Sequence, residues 1–289
     1  MAKNGKAVAT KGTTAVALGV NFGTDAGAGT KGLGEDRVIP IMGLLATNSP
    51  QVQKGHQKYI AGAEPGMALN KGTRRVYELR EGDGITIVPI ERQKWFVKYR
   101  NRDNGGGFRG RFAPTDPTIL KLTGGKKVFG KILDPSEPEN EIIETNYVPA
   151  LVLDKPGGSV IDVVVFPFKS KQLGPWSEWA TLVESTLVSV AGAEMPLSEA
   201  APLFAHQIRL TSRFESSAKG DFWNYVLTPA VTDEDGNPNV VASLITDQEH
   251  PAYKMGRKIL AEFSAGEREI GEHENDDDEA PTGKSVFEK

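Results

Sequence analysis

The stretch from Arg92 to Phe112, RQKWFVKYRNRDNGGGFRGRF, constrains the chain more than any other. Successive side chains of a β-strand point to opposite faces. Arg92, Lys94, Phe96, Lys98, Arg100 and Arg102 therefore share one side, and Gln93, Trp95, Val97, Tyr99 and Asn101 take the other. The first set is a cationic row with a single aromatic. The second is largely apolar and suits a core. Three glycines, Gly105 to Gly107, follow, and then Phe108, Arg109, Arg111 and Phe112. Cations that track phosphates beside rings that stack on bases suit a single-stranded nucleic acid. The same pattern also describes a solvated edge strand kept from aggregating by its Lys and Arg residues.

A chain of 289 residues holds one large domain or two and buries a sizeable core. It has no cysteine, which excludes disulfides, a thiol nucleophile and thiolate metal ligands, and fits a reducing cytosol. No apolar run is long enough to span a bilayer, and the first twenty residues do not read as a signal peptide. The formal net charge of −4 conceals a dipolar layout. From Glu262 to Lys289 ten acids face three bases, and from Lys71 to Lys131 fifteen bases face six acids. A basic middle with an acidic end bears on partners, whereas the whole-chain charge does not.

Residues 1–34, rich in Gly, Ala, Thr and Lys, read as a flexible arm with one short strand at Ala15–Val20. Arg37–Leu45 reads as a short buried strand or helical turn, and Thr47–Leu69 as loop. Strands are expected at Arg75–Glu78, Ile85–Arg92, Lys94–Arg102, Lys127–Leu133, Glu141–Asp154 and Ser159–Phe168. Pro89 implies a bulge or an edge position. From Leu173 to Val190 the period changes: Trp176, Trp179, Val183, Leu187 and Val190 recur at helical steps, with the tryptophans on the buried stripe. Strands return at His206–Arg213, Asp221–Ala230 and Val240–Ile245, and a last helix capped by Asp247 reaches Phe263.

Motifs for catalysis or metal binding are not found. The histidines are scattered, Asp233-Glu234-Asp235-Gly236 has the wrong register for a calcium loop, and Pro281-Thr282-Gly283-Lys284-Ser285 lacks the first glycine of a phosphate loop. No cofactor is implied, and the chain is expected to act without enzymatic chemistry.

The run Glu272–Glu279 (EHENDDDE) followed by Val286-Phe287 resembles the acidic tails of bacterial and phage single-stranded-DNA-binding proteins. Here the aromatic is third from the end and is separated from the acids. More widely, NSPQVQKGHQKYIAGAEPGMALN, the strand from Ile87 to Arg100, GPWSEWATLV and HQIRLTSRFESSAKGDFWNYVL resemble phage single-stranded-DNA-binding proteins across residues 36–263. The resemblance implies a mainly β (α+β) fold, an elaborated OB-like barrel with one or two helices. It would comprise an arm at 1–34, a nucleic-acid-binding domain at 35–265 and an acidic tail at 266–289. Arg92, Lys94, Phe96, Lys98, Arg100 and Arg102 would line the strand, with Phe108, Arg109, Arg111 and Phe112 closing over it. Trp223 and Tyr225, at i and i+2, would add stacking. Asp276, Asp277, Asp278, Glu279 and Phe287 would recruit replication or recombination proteins in the host cytoplasm, with no membrane partner and with self-association compatible. The alternative is a virion or scaffold protein that contacts packaged DNA or neighbouring subunits.

Overall fold

The computed structural model describes residues 38–80, 82, 84–101, 107–126, 131–217, 220–268 and 270. The expected arm and nearly all of the acidic tail lie outside them. In chain order the elements are β1 (Met42–Leu44), β2 (Ala68–Asn70), β3 (Val76–Tyr77), β4 (Ile85–Pro89), β5 (Gln93–Arg100), β6 (Phe108–Phe112), α1 (Pro117–Thr123), β7 (Lys131–Ile132), β8 (Asn140–Leu153), β9 (Val160–Lys169), α2 (Leu173–Ser185), β10 (Leu187–Val190), β11 (Ala193–Pro196), α3 (Leu197–Ala200), β12 (Ile208–Ser217), β13 (Gly220–Pro229) and α4 (Pro251–Ser264). No helix among the described residues is long and apolar enough to cross a membrane.

The spine is β8. One of its edges pairs first with β5, through Asn140 to Tyr147, and then with β4, through Ala150 to Leu153. The other edge pairs with β7 and then with β9. A strand paired on both edges and covered on both faces is apolar on both. Val148, Ala150 and Val152 enter one core, and Tyr147, Leu151 and Leu153 enter another. Pro149 fits this central strand because its carbonyl accepts the Ile90 N–H at 2.8 Å, while Val165 opposite donates away from it to Pro40 at 2.9 Å. Pro89, which pairs with Ala150, is the last residue of β4 rather than a bulge.

The main sheet runs β13–β12–β4–β8–β5–β6, with β7 and β9 also on β8, and a small sheet β1–β2–β3 lies beside it. The mainly β class is as the sequence indicates. The barrel is not: among the described residues the ladder stays open, with no strand joining β13 to β6. The β12–β13 hairpin meets β9 through side chains rather than through backbone bonds. Tyr225 meets Phe166 and Phe168 edge-on, with centroids 6.0 and 5.5 Å away.

Helix α2 seals this first core with Trp176, Trp179 and Val183. The helix is shorter than its hydrophobic period suggests. Thr186 turns extended, and Leu187 to Val190 become β10. Helix α4 starts at Pro251, which holds His250 extended. The His250 ring, not Asp247, caps it by accepting the Ala252 N–H at 3.2 Å; Asp247 accepts from Glu249 in the preceding turn. The expected strand Val240–Ile245 is a turn with one bridge, His206 to Leu244. The ordered body reaches Ile270, which is 3 % exposed and bridges Ile39.

A tie of polar groups joins the small sheet to β9. One Asp162 oxygen accepts both the Asn70 amide and the Tyr77 hydroxyl, each at 2.7 Å. Burial, and then the Asp162 carboxylate, push the Tyr77 phenol well above its ordinary range.

His206 is 2 % exposed, its Nδ1 has no hydrogen-bond partner among the described residues, and its ring lies edge-on to Trp179 at 5.6 Å. Burial lowers its pKa from 6.5 to about 4. The unfolded chain therefore binds a proton that the native chain refuses between those values. Native stability is complete above the unfolded value and falls as pH drops towards 4, by about 3 kcal/mol in all. Thermal unfolding of the wild type and His206→Gln between pH 7 and pH 4 tests this: the wild type should lose the extra stability, and parallel curves would refute it.

Candidate nucleic-acid interface

The expected alternation of β5 is present. Trp95, Val97 and Tyr99 turn to the second core, and Lys94, Phe96 and Lys98 to the opposite face. That opposite face is not open. Phe96 is 5 % exposed and packs with Ile119 of α1, Ile132 of β7 and Ile142 of β8. The cover comes from helix α1, which is not among the elements expected from the sequence. Its signals are Asp116, which accepts the Thr118 N–H at 2.8 Å, Pro117 at the first turn, and Gly124 in left-handed conformation at the end.

Both lysines of the row are engaged. Lys94 lies 2.7 Å from Glu144 and over the Phe96 ring at 5.2 Å. Lys98 pairs with Glu137, and that bond, with a second from Asn140, holds the Glu137 carboxyl below its ordinary pKa. Arg111 is also engaged: its guanidinium stacks on Trp95 at 4.9 Å and donates to the Ile270 carbonyl at 3.1 Å.

Phe108 to Phe112, expected as a closing loop, is strand β6. Phe112 pairs opposite Phe96 and packs on the same cluster, while Phe108 meets Tyr99 edge-on at 6.5 Å. Between them the register slips, so that Lys98 faces Gly110 and Tyr99 faces Phe108. Arg109 is the extra residue of a bulge, and Gly110, at φ 145°, accommodates it. Bulges re-aim a side chain, and Arg109 points to solvent. Arg92, just before β5, and Arg100, its last residue, are exposed as well. None of the three makes an ion pair with a described residue. Arg102 and the tail residues Asp276, Asp277, Asp278, Glu279 and Phe287 lie outside the described residues.

The second pair of stacking candidates separates. Tyr225 is core, with burial pushing its phenol upward. Trp223 is half-buried over Gly66, whose φ of 88° and lack of a Cβ allow the approach; a Cβ there would lie 2.5 Å from the indole. Phe214, which sequence reasoning passed over, pairs opposite Trp223 and meets it edge-on at 5.4 Å. At 51 % exposure it is the one aromatic among the exposed large hydrophobic side chains of the described residues. A signal was available: Ile208, Leu210, Ser212 and Phe214 share one strand face, and the face changes from apolar to polar at Ser212 before the ring. Arg213 beside it is exposed but donates to Glu215 at 2.8 Å.

The two phenylalanines should separate cleanly in stability. Phe96→Ala should cost about 3–5 kcal/mol, as for a large ring removed from a core. Phe214→Ala should stay within about 0.5 kcal/mol of the wild type. Denaturant midpoints with unchanged slopes check both, and wild-type stability of Phe96→Ala would mean that α1 does not cover β5.

No curated protein and no solved structure matches the chain. A family model described as "Pam3 phage gp34-like protein" matches residues 10–269, which takes in all the strands and helices above. The chain therefore belongs to the Pam3 phage gp34-like protein family and is a phage protein.

Proposed function

We propose that this phage protein binds single-stranded DNA without sequence preference during replication or recombination, and that it acts by binding rather than by catalysis. The observation that carries the reading is the state of the cations on β5 and β6. The lysines are spent in ion pairs, while Arg92, Arg100 and Arg109 stand exposed with no carboxylate partner among the described residues. Guanidiniums of this kind exchange condensed counterions for phosphate contacts. The exposed ring that a base would use is Phe214, supported from below by Trp223. Phe214 lies past the Leu153 end of β8 and Arg100 at its Asn140 end, so a bound strand would meet the ring and the arginines along different parts of its length. Phe96 has no stacking role in this reading.

Binding to oligo(dT) should weaken steeply with salt and exceed binding to a duplex of equal length. Removing one cation that neutralises a phosphate of a single strand lowers the log–log salt slope by about 0.7, so Arg100→Ala with Arg109→Ala should flatten it by about twice that. Phe214→Ala should cost about 1–3 kcal/mol of binding with the salt slope unchanged. No binding at low salt would overturn the reading.

A virion or scaffold role is the second reading, and one observation favours it: large apolar side chains stand exposed at Leu182, Leu187 and Val190. Equal affinity for duplex and single strand would support that role instead.

The acidic end competes with DNA for the same guanidiniums in this proposal and recruits protein partners through its acids and Phe287. Because Ile270 is buried against Ile39, a clean truncation falls after Ile270 rather than nearer the helix. That truncation should tighten binding to single strands mainly at low salt, where screening is weak, and leave the melting temperature almost unchanged. It should also abolish co-purification of replication partners. A purely solubilising tail predicts no partner loss.

A further inference from the structure

Strands β10 and β11 form a two-stranded ribbon separate from the main sheet. Its turn, Ala191-Gly192, has φ of 51° and 85°, as a tight two-residue hairpin requires. The ribbon pairs Leu187 with Pro196, Val188 with Met195, Ser189 with Glu194 and Val190 with Ala193. Just beyond it the Leu197 N–H donates to the Thr186 carbonyl at 2.8 Å. Antiparallel pairs alternate between those that exchange hydrogen bonds and those that do not. The Val188–Met195 and Val190–Ala193 pairs therefore bond inward, and Leu187, Ser189, Glu194 and Pro196 turn their backbone groups outward.

The two outer edges differ in chemistry. On β11 the outward residues are Glu194, which carries a charge, and Pro196, which has no N–H; both discourage pairing. On β10 the outward N–H and C=O groups belong to Leu187 and Ser189, with neither charge nor proline. Among the described residues no strand pairs with that edge. Apolar surface flanks it, with Leu187 63 % and Val190 45 % exposed.

We propose that β10 is a self-association edge, pairing antiparallel with β10 of a second copy across a two-fold axis. Matching the outward groups fixes the register: Leu187 lies opposite the partner's Ser189, Ser189 opposite the partner's Leu187, and Val188 meets the partner's Val188 on the axis. Each outward pair then exchanges both of its backbone hydrogen bonds. A second copy is the occupant that the edge fits. The strand LVSV brings no charge into the ladder, its donors and acceptors repeat at the required spacing, and a two-fold contact closes on itself without leaving a further edge of the same kind. The two Leu187 side chains lie on one face as diagonal neighbours across the axis, within reach of each other. This inference does not depend on DNA binding, so either can fail alone.

The full chain, free of DNA, should sediment as a dimer that dissociates on dilution. Ser189→Pro deletes an outward N–H and leaves every inward bond of the ribbon intact. It should weaken dimerisation at least about tenfold, with circular dichroism unchanged and the melting temperature unchanged at dilutions where both proteins are monomeric. Because the chain has no cysteine, a second test is clean. A mixture of Leu187→Cys and Ser189→Cys proteins should form a disulfide-linked dimer under mild oxidation, since facing bonded residues lie about 5.5 Å apart at Cα, which suits a disulfide. Either variant alone should cross-link far less. A monomer at every concentration, a dimer unaffected by Ser189→Pro, or a mixture that cross-links no better than its components would each overturn the proposal.

Discussion

The fold depends on the pairing of β8 on both edges and the burial of both its faces. Four strands use it as a template, and the two largest cores lie on its opposite sides. Such a strand must be apolar on both faces wherever it is covered on both, and it departs from that only where the cover changes. Glu144 and Asn146 lie near its first half, on the face shared with Lys94 and Phe96. There the packing passes from the large core to the small cluster under α1. Burying a carboxylate at that junction is costly unless it is paired, and Lys94 is the pair. The lysines that look like a ligand-binding row are in part the counterions of the spine.

The sequence makes one half of that arrangement legible. Alternation along β5 correctly separates Trp95, Val97 and Tyr99 from Lys94, Phe96 and Lys98, because the strand period is a property of the backbone. It does not say what covers a face, since that depends on elements distant in sequence. Helix α1 and strand β7 supply Ile119 and Ile132 over Phe96. Nor are the ion pairs readable without the register that sets Lys94 beside Glu144. Arg109 escapes the alternation altogether, because a bulge at Gly110 resets it.

Other elements show the same division. The two tryptophans of α2 are recognisable from spacing, and both are core. The end of the helix is not, because Leu187 and Val190 continue a helical period while in fact belonging to a hairpin. The competing signal is the left-handed pair Ala191-Gly192, and it wins by allowing a tight turn that the helix would exclude. At α4 the rule that favours aspartate as a cap pointed to Asp247, but Pro251 fixes where the helix starts, and the residue in front of it is His250. The expected barrel is not formed among the described residues, where the last hairpin covers the core with Tyr225 against Phe166 and Phe168 instead of pairing onward through backbone bonds.

The positions of Arg100 and Phe214 follow from where the ladders end. β12 pairs with β4 only from Ile208 to Leu210, and its last tertiary anchors are at Ser212, whose N–H donates to Leu79 and whose hydroxyl donates to Gly66. Past that point Trp223 still packs over Gly66, but Phe214 opposite it is 51 % exposed, while Tyr225, level with Ser212, stays in the core. On β5, Arg100 lies in the last pair of its ladder, opposite Asn140, where β8 begins. A residue at the end of its ladder keeps backbone bonds and loses part of its cover. Side chains there are held in position by the strand yet remain open to solvent, which is the combination that contact with a polymeric ligand requires. Lys94 and Phe96 sit only a few residues back on the same strand, but they lie within the reach of β8 and its cover, and so serve the fold.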